Sequence, residues 1–180
     1  MEKRFSERTI TAQGRKLIGH AALFNATAKV VVNGRVVSER IAPGAFKRTL
    51  QEQRDILALI DHDPTRLLGR TKSQTLRLRE DTLGLAFEID LPDTQAARDT
   101  LALAERGDLG GGSFGFVATR ETWNADKTER TVHEAALYEI SVIASHPAYA
   151  TDVQARAAEQ AEPLSPRQRR LRLIELGGAS

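Results

Sequence analysis

The sequence predicts an α+β fold built mainly from antiparallel strands, with a few helices. Three observations carry this. Apolar and polar residues alternate with a period of two, as at Leu76 and Leu78 and again at Leu83, Leu85, Phe87, Ile89 and Leu91. Tight-turn signals separate such segments. The clearest is Asn33-Gly34 between Val30-Val31-Val32 and Val36-Val37, a dipeptide suited to a type I′ hairpin turn. Residues 92–106 have helical spacing instead, with Ala97, Leu101 and Ala104 on one face and Gly107 as the stop.

In chain order, residues 3–10 mix charged and β-branched side chains and read as a strand. Residues 15–24 form an apolar strand containing His20, and residues 29–41 a hairpin. Pro43-Gly44-Ala45-Phe46 opens a short helix in which Phe46 and Leu50 share a face. Residues 55–60 are a buried strand running into Asp61-His62-Asp63-Pro64, where Pro64 ends the ladder. Residues 75–79 and 83–91 pair across a Glu80-Asp81 turn. After the 92–106 helix, a glycine-rich turn places Ser113 at its lip, and a strand follows to about Asn124. Asp126-Lys127 turns the chain into a partner strand at 129–134. Residues 137–144 form a separate last core strand, with Glu139, Ser141 and Ile143 opposite Ile140, Val142 and Ala144.

The 180 residues suffice for one domain and a tail. Composition shifts after Thr151: residues 155–166 have linker composition, and residues 166–176 form a short basic helix carrying Leu171, Ile174 and Leu176. The chain therefore divides into a domain at 1–153 and a linker with helix at 154–180. A net charge of +2 gives no general case for nucleic acid or an acidic membrane. There is no cysteine, which excludes disulfides, thiolate metal sites and a cysteine nucleophile. No apolar run approaches a membrane span, and Met1-Glu2-Lys3-Arg4-Phe5 lacks a signal-peptide core, so an intracellular, soluble protein is expected.

Gly111-Gly112-Ser113-Phe114-Gly115 fits the G-x-S-x-G elbow literally. The elbow needs strand, serine, helix, and here a helix precedes and a strand follows. Ser113 can still serve as a nucleophile elsewhere than in that fold, provided a base activates it. Of the four histidines, His62 is the best base, at the end of a buried strand. His20 reads as packing, His133 as a cross-strand or exposed residue. Glu139 is a candidate to orient the imidazole, with His146 the alternative. Gly111 and Gly112 are oxyanion-donor candidates. A metal at Asp61, His62 and Asp63 is disfavoured because neighbours on an extended strand point to opposite faces. No metal or cofactor is expected.

The ordered set of Ile41-Ala42-Pro43-Gly44-Ala45-Phe46, Asp61-His62-Asp63, Leu68-Gly69-Arg70-Thr71, Leu76-Arg77-Leu78 and Asp81-Thr82-Leu83-Gly84-Leu85 spans the first half of the chain. Arg106-Gly107-Asp108, Ser113-Phe114-Gly115-Phe116, Trp123, Tyr138-Glu139-Ile140-Ser141-Val142 and Pro147-Ala148-Tyr149 continue it. Together, from about Arg15 to Val153, they resemble the prohead (procapsid) maturation protease family of tailed bacteriophages. The resemblance implies a fold shared with the herpesvirus assembly protease: a β-barrel-like core wrapped by helices. It implies a serine endopeptidase with Ser113 as nucleophile and His62 as base. The herpesvirus relatives place a second histidine on a late strand. None lies at 137–144 here, so Glu139 takes that place. The resemblance further implies that the protein is packaged inside the procapsid in the host cytoplasm. Its substrates would be scaffold protein or the scaffold-like segment of the major capsid protein, and its own chain, with self-association as a further expectation. The competing reading is a non-catalytic, protease-like assembly factor that docks to shell or scaffold.

Overall fold

The computed structural model describes residues 1–6 and 10–145. The expected boundary at 153/154, the basic helix at 166–176 and His146 lie outside them. In chain order the strands are β1 (Glu2–Ser6), β2 (Thr11–Gln13), β3 (Lys16–Leu23), β4 (Ala28–Val32) and β5 (Arg35–Ile41). Helix α1 (Lys47–Gln51) precedes β6 (Leu57–Ile60), β7 (Asp63–Arg70), β8 (Leu76–Glu80) and β9 (Gly84–Asp90). Helix α2 (Gln95–Arg106) then leads into the long strands β10 (Gly111–Trp123) and β11 (Glu129–Ile143).

The α+β, mostly antiparallel prediction holds, and several elements follow their local chemistry. Asn33 and Gly34 both adopt positive φ, 51° and 77°, as the β4–β5 turn requires. Thr94 caps α2 by accepting from the Ala97 N–H, and Gly107 ends it in the left-handed conformation. Other expectations are corrected. Residues 43–46 form turns, so α1 starts only at Lys47, with the Phe46 N–H donating to Glu80 Oε1 at 2.8 Å. Pro64 does not end the ladder. It is the second residue of β7, which among the described residues pairs only with β6, so its missing N–H can face an open edge. The two strands expected at 129–134 and 137–144 are one continuous strand, β11.

The strands form a seven-stranded sheet, ordered β1-β10-β11-β5-β4 with β6 and β7 attached to β11, and a four-stranded sheet, β2-β3-β9-β8. The first sheet is bent. β1 and β5 are three strand spacings apart, about 14 Å in a flat sheet. Yet Arg4 of β1 bonds Glu39 of β5 at 2.5 Å. Register shifts on β10 at Gly115/Phe116 and Ala118/Arg120 supply the bend. The barrel-like core is not realised: the sheets do not close, because β1 and β5 meet through side chains and not through a backbone ladder. The aromatic rings Phe24, Phe46, Phe114 and Phe116 follow one another inside the bend, 5.0–6.3 Å apart, stacked at Phe24/Phe46 and Phe114/Phe116 and edge-to-face at Phe46/Phe114.

β11 divides its free edge between two parallel partners, β5 along Glu129–Val132 and β6 along Glu139–Val142. The interval between them is served by α1. Thr49 Oγ1 donates to the Ala135 carbonyl at 2.8 Å and accepts from the Leu137 N–H at 3.2 Å, and the Ala45 carbonyl accepts from the Ala135 N–H. Thr49 is buried, so without its hydroxyl these groups would be unsatisfied away from water. Thr49→Val, nearly isosteric, is expected to lower unfolding free energy in urea by about 1–3 kcal/mol, and Thr49→Ser by clearly less. A Thr49→Val protein as stable as the parent would refute this role.

Candidate active site

The site is assembled where β11 is paired on both edges. β10 runs antiparallel on one side with Ser113 opposite Ser141 and Gly115 opposite Glu139, and β6 runs parallel on the other. β6 and β7 join through a two-residue turn: Ile60 pairs with Asp63, leaving Asp61 and His62 at the tip. Both have positive φ, 51° and 60°, which costs non-glycine residues on the order of 1 kcal/mol each. The turn is held by β11. The Asp61 N–H donates to the Val142 carbonyl at 3.0 Å, and Asp61 Oδ1 accepts from the N–H groups of Ala144 (2.9 Å) and Ser145 (3.1 Å). The His62 N–H donates to Ser141 Oγ at 3.1 Å.

This turn places the imidazole between a hydroxyl and a carboxylate. His62 Nδ1 lies 2.7 Å from Glu139 Oε1, and His62 Nε2 lies 2.8 Å from Ser113 Oγ. A carboxylate only accepts, so these partners assign the imidazole proton to Nδ1 and leave the Nε2 lone pair facing Ser113. The second Glu139 oxygen, Oε2, accepts from Ser141 Oγ at 2.7 Å. Glu139 is only 5% exposed and Ser113 1%, so these bonds operate largely out of water.

Residues 3–165 match the model of the caudovirus prohead serine protease family. The chain belongs to this family. Among solved structures, the bacteriophage T4 capsid assembly protease gp21 is similar at 8% identity and a TM-score of 0.44, over 76% of this chain and 99% of that one. No curated protein matches the chain. The prohead-protease resemblance read from the sequence thus holds at the level of the family.

In this prohead-protease chain Ser113 does not stand at the lip of an open turn as expected. It is the third residue of β10, buried and paired with Phe5 of β1 on one edge and Ser141 of β11 on the other. The glycines before it serve close approach: a Cβ on Gly112 would lie 2.4 Å from the His20 carbonyl oxygen of β3. Gly112 is paired with Ser6 and with Val142, so it too lies within the sheet and not in a turn. The Ser113 hydroxyl also donates to the Arg4 carbonyl at 2.5 Å. It has one proton for two acceptors, so Arg4 and His62 compete for it.

The remaining candidates separate from this cluster. His20 bonds Asp81 at 2.8 Å, and His133 bonds Thr122 across the β10–β11 hairpin at 2.9 Å. Asp61 and Asp63 turn away from the His62 ring, toward Ser145 and Thr65 respectively. Sequence reasoning missed Arg4 and the dual bonding of Ser141. The only sequence signal for Ser141 was its i+2 spacing from Glu139, which puts both on one strand face.

β1 is held beside Ser113 by charge. Arg4 and Arg130 bond Glu39, which is 2% exposed, while Glu2 bonds both arginines and Glu121 bonds Arg130. Burial pushes the Glu2 carboxyl up, but the hydrogen bond from Arg130 and the charges of Arg4 and Arg130 together hold it below 4.5. A depressed folded-state value means that this contribution is present above pH 4.5 and is lost as pH falls through the depressed value. Protection of the β1 amides, measured as exchange relative to the intrinsic rate at each pH, is therefore expected to fall on acidification below that point, and the Glu2→Gln variant to show a smaller pH-dependent change. Identical acid profiles for parent and variant would rule out Glu2 as the fastening.

Proposed function

We propose that this protein is a serine endopeptidase of capsid maturation, with Ser113 as nucleophile, His62 as general base and Glu139 as the group that orients the imidazole. The observation that carries the reading is the unbroken hydrogen-bonded line from Glu139 Oε1 through His62 to Ser113 Oγ. As Ser113 Oγ adds to a peptide carbonyl carbon, its proton moves to His62 Nε2. Glu139 stabilises the imidazolium that forms, and His62 then returns the proton to the leaving amine. A base so placed contributes roughly 10²–10⁴-fold. The oxyanion donors proposed from the sequence, the N–H groups of Gly111 and Gly112, lie within the sheet, so they serve an oxyanion only where their pairing with β1 or β11 is given up. Family membership supports capsid-related substrates; we propose that these are scaffold protein, the scaffold-like segment of the capsid protein and the chain itself, cleaved inside the procapsid.

One observation favours the reading as a protease-like assembly factor: Ser113 is 1% exposed, and its hydroxyl also donates to the Arg4 carbonyl, a second acceptor beside His62. Ser113→Ala separates the two. Ser113 is buried and bonded, so the substitution should cost about 1 kcal/mol of stability. Shortening of the same phage's scaffold and capsid proteins on co-expression should fall about 10⁴-fold or more, along with any self-shortening. Cleavage at the parental rate by a folded Ser113→Ala protein would end the enzymatic assignment.

A further inference from the structure

We propose that Ser141 is a positioning residue that locks Glu139 and His62 together, an inference that rests on the serine-protease reading above. Ser141 is 1% exposed and its hydroxyl is used twice. Its single proton goes to Glu139 Oε2 at 2.7 Å, and its lone pair receives the His62 backbone N–H at 3.1 Å. One oxygen atom therefore ties the carboxylate that orients the imidazole to the backbone that carries it.

Both halves of this link matter physically. A glutamate has three side-chain torsions, and a single bond to His62 would leave the carboxylate free to swing about Oε1. Ser141 fixes the second oxygen. β10 leaves the room for it: a Cβ on Gly115 would stand 2.4 Å from Glu139 Oε1. At the other end, the His62 N–H belongs to a residue held at a φ of 60°, and Ser141 gives that N–H an acceptor inside the protein. Ser141 does not contact the Nε2 face, which Ser113 takes, and its proton is already committed to Glu139. It acts on Ser113 only through Glu139 and His62.

The test uses the full chain and a fluorophosphonate probe, which phosphonylates an activated serine with loss of fluoride, followed by intact mass. Ser141→Ala should lower the maximal labelling rate by about 10- to 100-fold, the range typical of partners that orient a functional histidine, with half-saturating probe concentration unchanged. Ser141→Cys, close in volume but a weak donor, should be slow as well, which separates the hydrogen bond from packing. In a Glu139→Ala background, Ser141→Ala should cause little further loss, because its route to Ser113 is already cut. Parental labelling by Ser141→Ala, alongside none by Ser113→Ala, overturns the positioning role and leaves the protease reading standing. An undiminished Ser141→Ala effect in the Glu139→Ala background also overturns it. Labelling that survives Ser113→Ala overturns the protease reading itself.

Discussion

The two-sided pairing of β11 between Glu139 and Val142 is the constraint on which the site depends. β10 fixes Ser113 opposite Ser141, and β6 fixes the origin of the Asp61-His62 turn, both against the same four residues. A slip of one residue in β11 would send Glu139 and Ser141 to the opposite face. A slip of two would keep the face but move the carboxylate by roughly 6–7 Å, beyond reach of the imidazole. Register, more than any single contact, brings the three side chains together, and the α1 residues that serve the open interval of β11 help to hold that register.

Charge is buried at two places along β10 and β11, with different compensation. Around Glu39 and Arg130 it is met by opposite charge, supplied by Arg4, Glu2 and Glu121. Around Glu139 it is met, among the described residues, by an imidazole and a hydroxyl and by no guanidinium. A buried carboxylate left unpaired would cost several kcal/mol, so both arrangements are needed for folding. They differ in what they leave available. An arginine beside Glu139 would fix its charge permanently. An imidazole can gain and lose a proton against it.

The features legible in the sequence were those set by local chemistry: the Asn33-Gly34 turn, the Thr94 and Gly107 ends of α2, and the alternation along β9. The resemblance and the position of His62 after a buried strand directed attention to the residues that the fold brings together. What was not legible came from tertiary context. Glu134-Ala135-Ala136 has weak strand character, and β11 continues through it because β10 and α1 bond that backbone on both sides. Pro64 looked like a breaker because its edge position is invisible in one dimension. Gly111 and Gly112 looked like a turn, whereas Gly112 is needed because the β3 backbone passes too close for a side chain.

Arg4 connects the two clusters. Its guanidinium bonds Glu39, while its carbonyl competes with His62 Nε2 as acceptor for the Ser113 hydroxyl. None of the contacts that seat His62 passes through β1: the turn is bonded to Ser141, Val142, Ala144 and Ser145, and the ring to Glu139. An aligned imidazole and a buried serine therefore coexist. What β1 changes is the direction of one proton. With the Arg4 carbonyl in place, the hydroxyl can point away from Nε2. Without it, Nε2 is the acceptor already waiting at 2.8 Å. The base and its orienting carboxylate need no rearrangement for that turn of the hydroxyl, which is a rotation about a single side-chain bond.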